Sequence, residues 1–154
     1  MKLYVGAGKD RKEGYKHADI IVFPGIDYVF DATERWPFDD NTITEVYTQD
    51  FLEHIPQERV IFVIQEIYRI LEKNGRMEHN VPNAGSMNDF GSPTHLSHWN
   101  LWTFEHFQED SHRFKKDREF MGWKYLGGFK KILAEEWNHQ NGIAQNIHVI
   151  YEKL

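Results

Sequence analysis

The sequence predicts an α/β fold: an open, mostly parallel sheet of about seven strands, closed by an antiparallel C-terminal hairpin. Three observations predict it. Lys2-Leu3-Tyr4-Val5 is a short apolar run that stops on Gly6-Ala7-Gly8, as a buried parallel strand does when its carboxyl end turns sharply toward a ligand. Between Gln57 and Lys73 the apolar spacing becomes that of an amphipathic helix. The tail reads as two strands, Phe129–Trp137 and Ala144–Glu152, joined by Asn138-His139-Gln140-Asn141-Gly142, which makes them antiparallel neighbours.

The bulk properties fit one globular unit. A chain of 154 residues has room for one domain with a real core, so residues 1–154 are read as a single domain. Hydrophobic residues make up 40% and charged residues 27%, a balance that excludes a disordered chain. A net charge of -6 gives no general attraction for phosphate backbones, so nucleic acid is a poor partner. The one basic run, Arg113-Phe114-Lys115-Lys116-Asp117-Arg118, carries interleaved acid and reads as a solvated helix face. The absence of cysteine removes disulfides, thiolate nucleophiles and cysteine-based zinc sites, which suits a reducing, cytoplasmic setting. No apolar run approaches the ~18 residues of a membrane span, and the N-terminus lacks the apolar core of a signal peptide. The expectation is a soluble cytoplasmic protein without membrane contact.

After Gly8 the chain is polar through Tyr15, and a second strand is expected from Lys16 to Phe23, closed by Pro24-Gly25. If strands one and two are parallel, the link between them is close to the ~10–12-residue minimum, so the first crossover helix is missing or reduced. Asp27–Asp31 reads as a third strand ending on an acid, and Thr44–Thr48 as a fourth. Between them Trp36–Asn41 reads as loop. In the segment from Gln57 to Lys73, Val60, Ile64, Ile67 and Leu71 share a face, Pro56 lies near the first turn, and Asn74-Gly75 is the expected stop. Arg76–Val81 follows as a fifth strand, unusually polar at Met77-Glu78-His79-Asn80. Residues 83–100 form a long loop rich in Asn, Gly, Ser, Pro and His, and such loops inside compact domains are often functional. A short capped helix is expected at Thr103–Phe107, with Trp99, Trp102, Phe104 and Phe107 as core beneath a lid.

In an open α/β sheet, ligands sit beyond the carboxyl ends of the strands, near the point where strand order switches. The candidate binding residues are therefore Gly6, Gly8, Asp19, Asp31, Ala32, Thr48, Gln49 and Asp50. Acids at successive strand ends suit a nucleoside, one accepting from ribose hydroxyls and one from an exocyclic amine. A nicotinamide dinucleotide is disfavoured by spacing. Its fingerprint requires G-x-G-x-x-G opening a helix and an acid about 20 residues later. Here the third glycine is Gly14, the acid arrives at Asp19, and a pyrophosphate would have no helix N-terminus to rest on.

The chain resembles a known family at Leu3–Gly8, Gly14-Tyr15, Asp19-Ile20 and Asp27–Thr33, and again at Trp36–Asn41, Val46-Tyr47, Leu52–Pro56, Glu66–Leu71, Gly75, Val81-Pro82 and Pro93–His95. The resemblance is to the small class I, Rossmann-like, S-adenosylmethionine-dependent methyltransferases, in their compact branch, and it covers about residues 2 to 107. It implies a seven-stranded sheet with an antiparallel last strand. It also implies S-adenosyl-L-methionine as cofactor. Gly6, Ala7 and Gly8 would then face the methionine part of that cofactor, Asp19 would hold the ribose, Asp31 with the Ala32 amide the adenine, and the Thr48-Gln49 backbone would close the methionine side. The chain departs from the family pattern at Asp50, commonly neutral in relatives, and in its polar fifth strand. The short first link leaves one side of the cofactor thinly covered, so weak binding is expected unless a second subunit of a homodimer or the 83–100 loop covers it.

Methyl transfer from a sulfonium is an in-line displacement, in which a protein mainly positions the acceptor and excludes water. Asp50 and His95 are the expected catalytic residues, as base or acceptor-binding groups, with His98 beside them. His54 reads as a packing or capping residue. His95 and His98, with Glu105 and His106 nearby, have metal-like spacing, but the Pro93-Thr94 context reads as loop and no metal is assigned. The expected function is methyl transfer to a small-molecule or sugar-like acceptor. The alternatives are a degenerate relative that binds the cofactor or another nucleoside without catalysis, and an interaction protein using its aromatic segment as an interface.

Overall fold

Strands Lys2–Val5 (β1), Lys16–Asp19 (β2), Tyr28–Val29 (β3), Ile43–Gln49 (β4), Leu71–Pro82 (β5), Phe129–Gln140 (β6) and Ile143–Lys153 (β7) form one sheet in the order β3-β2-β1-β4-β5-β7-β6. In this computed structural model the backbone is described for residues 1–122 and 128–154, and the side chains of these except at 112–114 and 117–118. The first five strands run parallel, while β7 lies antiparallel to both β5 and β6. The α/β class, the strand number and the C-terminal hairpin are as the sequence predicts. The hairpin strands extend further than expected, to Gln140 and from Ile143. Only Asn141 and Gly142 are left between them, both at positive φ (52° and 77°), the conformation that matches the twist of a two-residue hairpin.

The sheet has two unlike faces. Helix Val60–Ile70 (α1) buries Val60, Val63, Ile64, Ile67 and Ile70 against Leu3 and Val5 of β1, Val46 of β4 and Met77 of β5. Each such aliphatic side chain contributes roughly 1.5–3 kcal/mol of burial. Helix Leu101–Glu105 (α2) adds Phe104 to the same core beside Trp99 and Tyr151, the ring pair Trp99–Phe104 lying 4.9 Å apart between centroids. The opposite face is polar and aromatic: Tyr4, His17 and Tyr47 pack ring to ring, and Glu78, His148 and Glu135 form a hydrogen-bonded row.

None of the links β1–β2, β2–β3 and β3–β4 contains a helix, so their backbone groups are held by side chains instead. In the first, the Lys12 amide donates to His17 Nε2 at 2.9 Å. Arg11 donates to the carbonyls of Gly8 and of Pro24, pinning the first link to the second. In the third, the Trp36 amide donates to Glu66 Oε2 at 2.8 Å, and Arg69 of α1 donates to Phe38 O, Trp36 O, Asp40 and Glu66. Glu66 and Arg69 thus replace a crossover helix with a polar clasp on α1.

Several expected boundaries shift. The second strand ends at Asp19 rather than Phe23, because Asp19 Oδ1 accepts from the Ile21 amide and turns the chain out of the sheet, leaving Ile20, Ile21 and Val22 exposed. The long helix begins as a single 3-10 turn at Gln57–Arg59 and stops at Ile70 rather than Lys73. β5 starts at once at Leu71, so Asn74-Gly75 lies inside the strand, at the irregularity where its register against β4 jumps between Ile43 and Glu45. The short capped helix starts at Leu101, two residues earlier than expected, with an Asn100–Thr103 capping box. Trp102 is exposed and not part of the core. The basic run lies on helix His112–Met121 (α3), where Lys115 and Lys116 are exposed; Arg113, Phe114, Asp117 and Arg118 lie outside the described side chains.

Candidate active site

The parallel strands β1 to β4 all end on one edge of the sheet. Between β1 and β4 the order switches, and their pairing stops at Tyr4↔Tyr47. Beyond that pair the two strand ends part, which is where an open α/β sheet leaves a crevice. Gly6, Gly8, Asp19, Asp31, Thr48, Gln49 and Asp50 all lie at this edge.

Gly6 has φ +70°, and a Cβ built on it would meet the Phe51 ring at 2.3 Å. Its missing side chain therefore makes room for Phe51. A Cβ on Gly8 would have nothing within 4 Å, so this glycine borders open space. The Gly8 amide donates to Asp19 Oδ2 at 2.8 Å, and the amide of buried Ala7 donates to Ala18 O at 3.1 Å. The glycine turn is thus held by the end of β2.

Asp31 follows β3 and is exposed. Its Oδ1 accepts from both the amide (2.8 Å) and the hydroxyl (2.7 Å) of Thr33. These bonds hold the Asp31 carboxyl below the usual carboxylate range. Its Oδ2 accepts no hydrogen bond among the described residues. Ala32 is buried, its carbonyl accepting from the Trp36 indole at 2.9 Å. On the other side of the crevice Thr48 is fully buried, with Oγ1 2.8 Å from His79 Nδ1. Gln49 donates to Asp50 Oδ2 at 2.8 Å, and Asp50 itself takes positive φ (48°), turning the chain away from β4.

Next to this edge lies a cavity of about 440 Å³, lined by Asp50, Glu53, His54, His95, Met87 and Asn146 among others. The two expected catalytic residues, Asp50 and His95, thus share one cavity. His95 Nδ1 lies 2.7 Å from Asp89 O and, since a carbonyl only accepts, carries the proton; its Nε2 is left as an acceptor. His98 is not in the cavity lining; its Nδ1 pairs with the buried Asp89 carboxylate at 2.9 Å. His54 is exposed and caps no helix; its Nδ1 donates to Thr94 O at 3.1 Å.

Glu53 lies in the Leu52–Pro56 stretch that carries the resemblance but is not among the site residues expected from the sequence. It is 1% exposed on the 3-10 turn Leu52–His54, and neither carboxyl oxygen has a hydrogen-bond partner among the described residues. Burial pushes its carboxyl up to about 8, the charges of Asp50 and Asp89 adding to the rise. The only signal in the sequence is an acid inside the apolar run Phe51-Leu52-Glu53-His54-Ile55, and nothing there says which way it points.

Residues 7–78, just under half of the chain, match the family model described as a methyltransferase domain. No curated protein matches the chain in sequence. Among solved structures, a SAM-dependent methyltransferase from Archaeoglobus fulgidus superimposes with a TM-score of 0.65 at 17% identity, over 99% of this chain and 85% of that one. An S-adenosylmethionine-dependent methyltransferase from Mesorhizobium loti gives 0.62 at 9% identity, covering 99% and 90%. The 1,6-didemethyltoxoflavin-N1-methyltransferase of Burkholderia thailandensis, solved with its acceptor and S-adenosylhomocysteine, gives 0.65 at 11% identity, covering 99% and 70%.

Proposed function

For a chain that carries a methyltransferase domain on the fold of the small class I S-adenosylmethionine-dependent methyltransferases, we propose methyl transfer from S-adenosylmethionine to a small-molecule or sugar-like acceptor. The observation that carries this reading is the row of groups at consecutive strand ends: open Gly8, Asp19 bound to it, and Asp31 with one oxygen unused, beside a cavity holding Asp50 and His95.

The residues present fit the cofactor. Asp19 accepts two amides, which leaves lone pairs on both oxygens for ribose hydroxyls. Asp31 Oδ2 suits an exocyclic amine, and Thr33 fixes the orientation of that carboxylate. The backbone of Thr48 and Gln49, beyond the last β1–β4 pair, lines the methionine side. When bound, the cofactor supplies an electrophilic methyl group on sulfur.

The acceptor belongs in the cavity beyond Asp50. Buried Ser86 and Asp89 fix one wall, because Ser86 Oγ donates to Gln145 O and accepts from the Asp89 amide. Asp50 and the Nε2 of His95 are the groups able to take a proton from a hydroxyl or amine acceptor as it is methylated. The small volume favours a small acceptor over a macromolecule. The absence of cysteine supports a reducing compartment such as the cytoplasm for the reaction.

The test is methyl transfer from labelled S-adenosylmethionine across a panel of hydroxylated and amine acceptors. Labelled product that disappears in Asp31→Ala supports the assignment. Cofactor binding without product from any acceptor would favour a binder over an enzyme.

A further inference from the structure

Glu53, His54 and His95 each offer a donor atom, and these three atoms lie within 4.8 Å of one another. We propose that they form a divalent transition-metal site on the wall of the cavity. Two imidazoles and one carboxylate suit manganese, iron, cobalt, nickel or zinc, and suit magnesium or calcium poorly.

Three observations converge on it. First, Glu53 is a carboxyl that is 1% exposed, with no hydrogen bond to either oxygen among the described residues. A buried polar group left unpaired is destabilising, and a cation placed between Glu53 and the cavity supplies the missing partner. Second, both rings are already set for ligation. Each donates its Nδ1–H to a backbone carbonyl, His54 to Thr94 and His95 to Asp89, which fixes the tautomer and leaves Nε2 bare. Third, the ligands are tied together by backbone. The Glu53 carbonyl accepts from the Leu96 and Ser97 amides at 2.7 and 3.1 Å, locking the turn that carries Glu53 and His54 to the segment that carries His95.

Donor atoms around one ion at ~2.1 Å sit roughly 3–3.5 Å apart, so the set must close by about 1–1.5 Å. The two side chains that move are the exposed and the half-buried one, His54 and His95, while buried Glu53 stays as the anchor. The open coordination positions then face the cavity. With an ion bound, His95 is a ligand and Asp50 is the remaining base.

Metal binding needs no S-adenosylmethionine, so its test is separate from that of the methyltransferase reading. Protein freed of metal with a chelator is titrated with CoCl2, read by visible absorption, and with ZnCl2, read by calorimetry and by thermal melting. One equivalent should bind in each case, with a rise in melting temperature. His54→Ala and His95→Ala should each weaken binding about tenfold or more. Glu53→Gln keeps the shape of the side chain and removes its ability to ionise; it should melt no lower than the parent without metal and lose the metal-induced rise. His148→Ala, altering a histidine held between Glu78 and Glu135 on the other face, should leave the affinity unchanged. If His95→Ala fails to fold, His95→Gln takes its place. The proposal is overturned by the absence of one-to-one binding, by equal affinity in the ligand variants and the parent, or by loss of binding in His148→Ala alone.

Discussion

Asp19 Oδ2 accepts the backbone N–H of Gly8 at 2.8 Å, so the carboxylate at the end of β2 fixes the turn at the end of β1. One side chain therefore serves both the fold and the proposed ribose contact. Asp19→Ala removes the acceptor for two amides, Gly8 and Ile21, and should lower stability by about 1–2 kcal/mol. It should also abolish the thermal shift given by S-adenosylhomocysteine. Asp19→Asn retains one acceptor oxygen and should recover part of the stability and little of the binding. Urea denaturation and thermal shift together check both halves.

Asp31 separates binding from folding more cleanly. It is exposed, and among the described residues its carboxylate bonds only to neighbouring Thr33. Asp31→Ala should change stability by less than about 1 kcal/mol and weaken S-adenosylhomocysteine about tenfold or more, by more than ~1.4 kcal/mol. An unchanged thermal shift in this variant refutes the placement of the adenine.

Much of this arrangement was legible in the sequence, because the signals are local. Gly6-Ala7-Gly8, the acids at 19 and 31, and the apolar spacing of α1 place four parallel strand ends on one edge without any knowledge of packing. What was not legible depends on contacts distant in sequence. The β2 strand stops because Asp19 turns back onto the Ile21 amide, overriding the apolar run Ile20–Phe23 that reads as strand. Asn74-Gly75 reads as a helix stop, yet β4 captures the chain from Leu71 on and the pair becomes an irregularity within β5. His79 made the fifth strand look too polar for a central one. Its Nδ1 meets Thr48 Oγ1 across the β4–β5 pair, and its ring stacks at 6.0 Å on Phe104, partners that lie 31 and 25 residues away. Glu53 and the cavity it faces were invisible for the same reason.

Burial of His79 has a consequence for pH. Desolvation lowers its pKa from 6.5 to about 3 in the folded chain. The unfolded chain therefore takes up a proton below about pH 6.5 that the folded chain refuses. Stability from this group is fully present above pH 6.5 and is lost as pH falls toward 3, by about 1.4 kcal/mol per pH unit. Paired acids such as Asp27 and Asp40, whose pKa values are lowered by Lys16 and Arg69, act in the same direction, but their windows open only below the ordinary carboxylate value of 3.8. Glu53, pushed up to about 8 by burial, acts in the opposite direction across the same window, adding stability as pH falls toward 4.5. Urea midpoints measured between pH 7 and 5 therefore isolate the histidine only as the difference between a His79 variant and the parent. Relative to the parent, His79→Leu should remove a loss of about 1.4 kcal/mol per pH unit on acidification across that range, and an unchanged slope would contradict the assignment.

The Glu66–Arg69 clasp should carry the helix-free link between β3 and β4. Arg69 reaches two backbone carbonyls and two carboxylates, and both it and Glu66 are largely buried. Arg69→Ala leaves Glu66 buried without its cation, so a loss of about 3–5 kcal/mol is expected. Arg69→Lys restores the charge but not the planar fork that spans four acceptors, and should recover less than half of the loss. Denaturant unfolding of the two variants measures the difference.

The same economy in the links limits cofactor affinity. The β1–β2 link carries no helix, and its Tyr15 and Lys12 lie against Tyr47 on the polar face of the sheet. The 83–100 segment packs on the far side instead, its Asn83 amide bonded to Gln145 O and its Ala84 amide to Trp99 O. It covers the Glu53 cavity rather than the Gly8–Asp31 side, so a single chain leaves an adenosine there open to water. Binding of S-adenosylhomocysteine to the monomer should accordingly be weaker than about 1 µM, above −8.2 kcal/mol. If a second copy of the chain supplies the cover, affinity should rise with protein concentration in step with dimer formation. Calorimetry at two protein concentrations, with sedimentation on the same samples, decides this. Sub-micromolar binding to a chain that sediments as a monomer contradicts the reading.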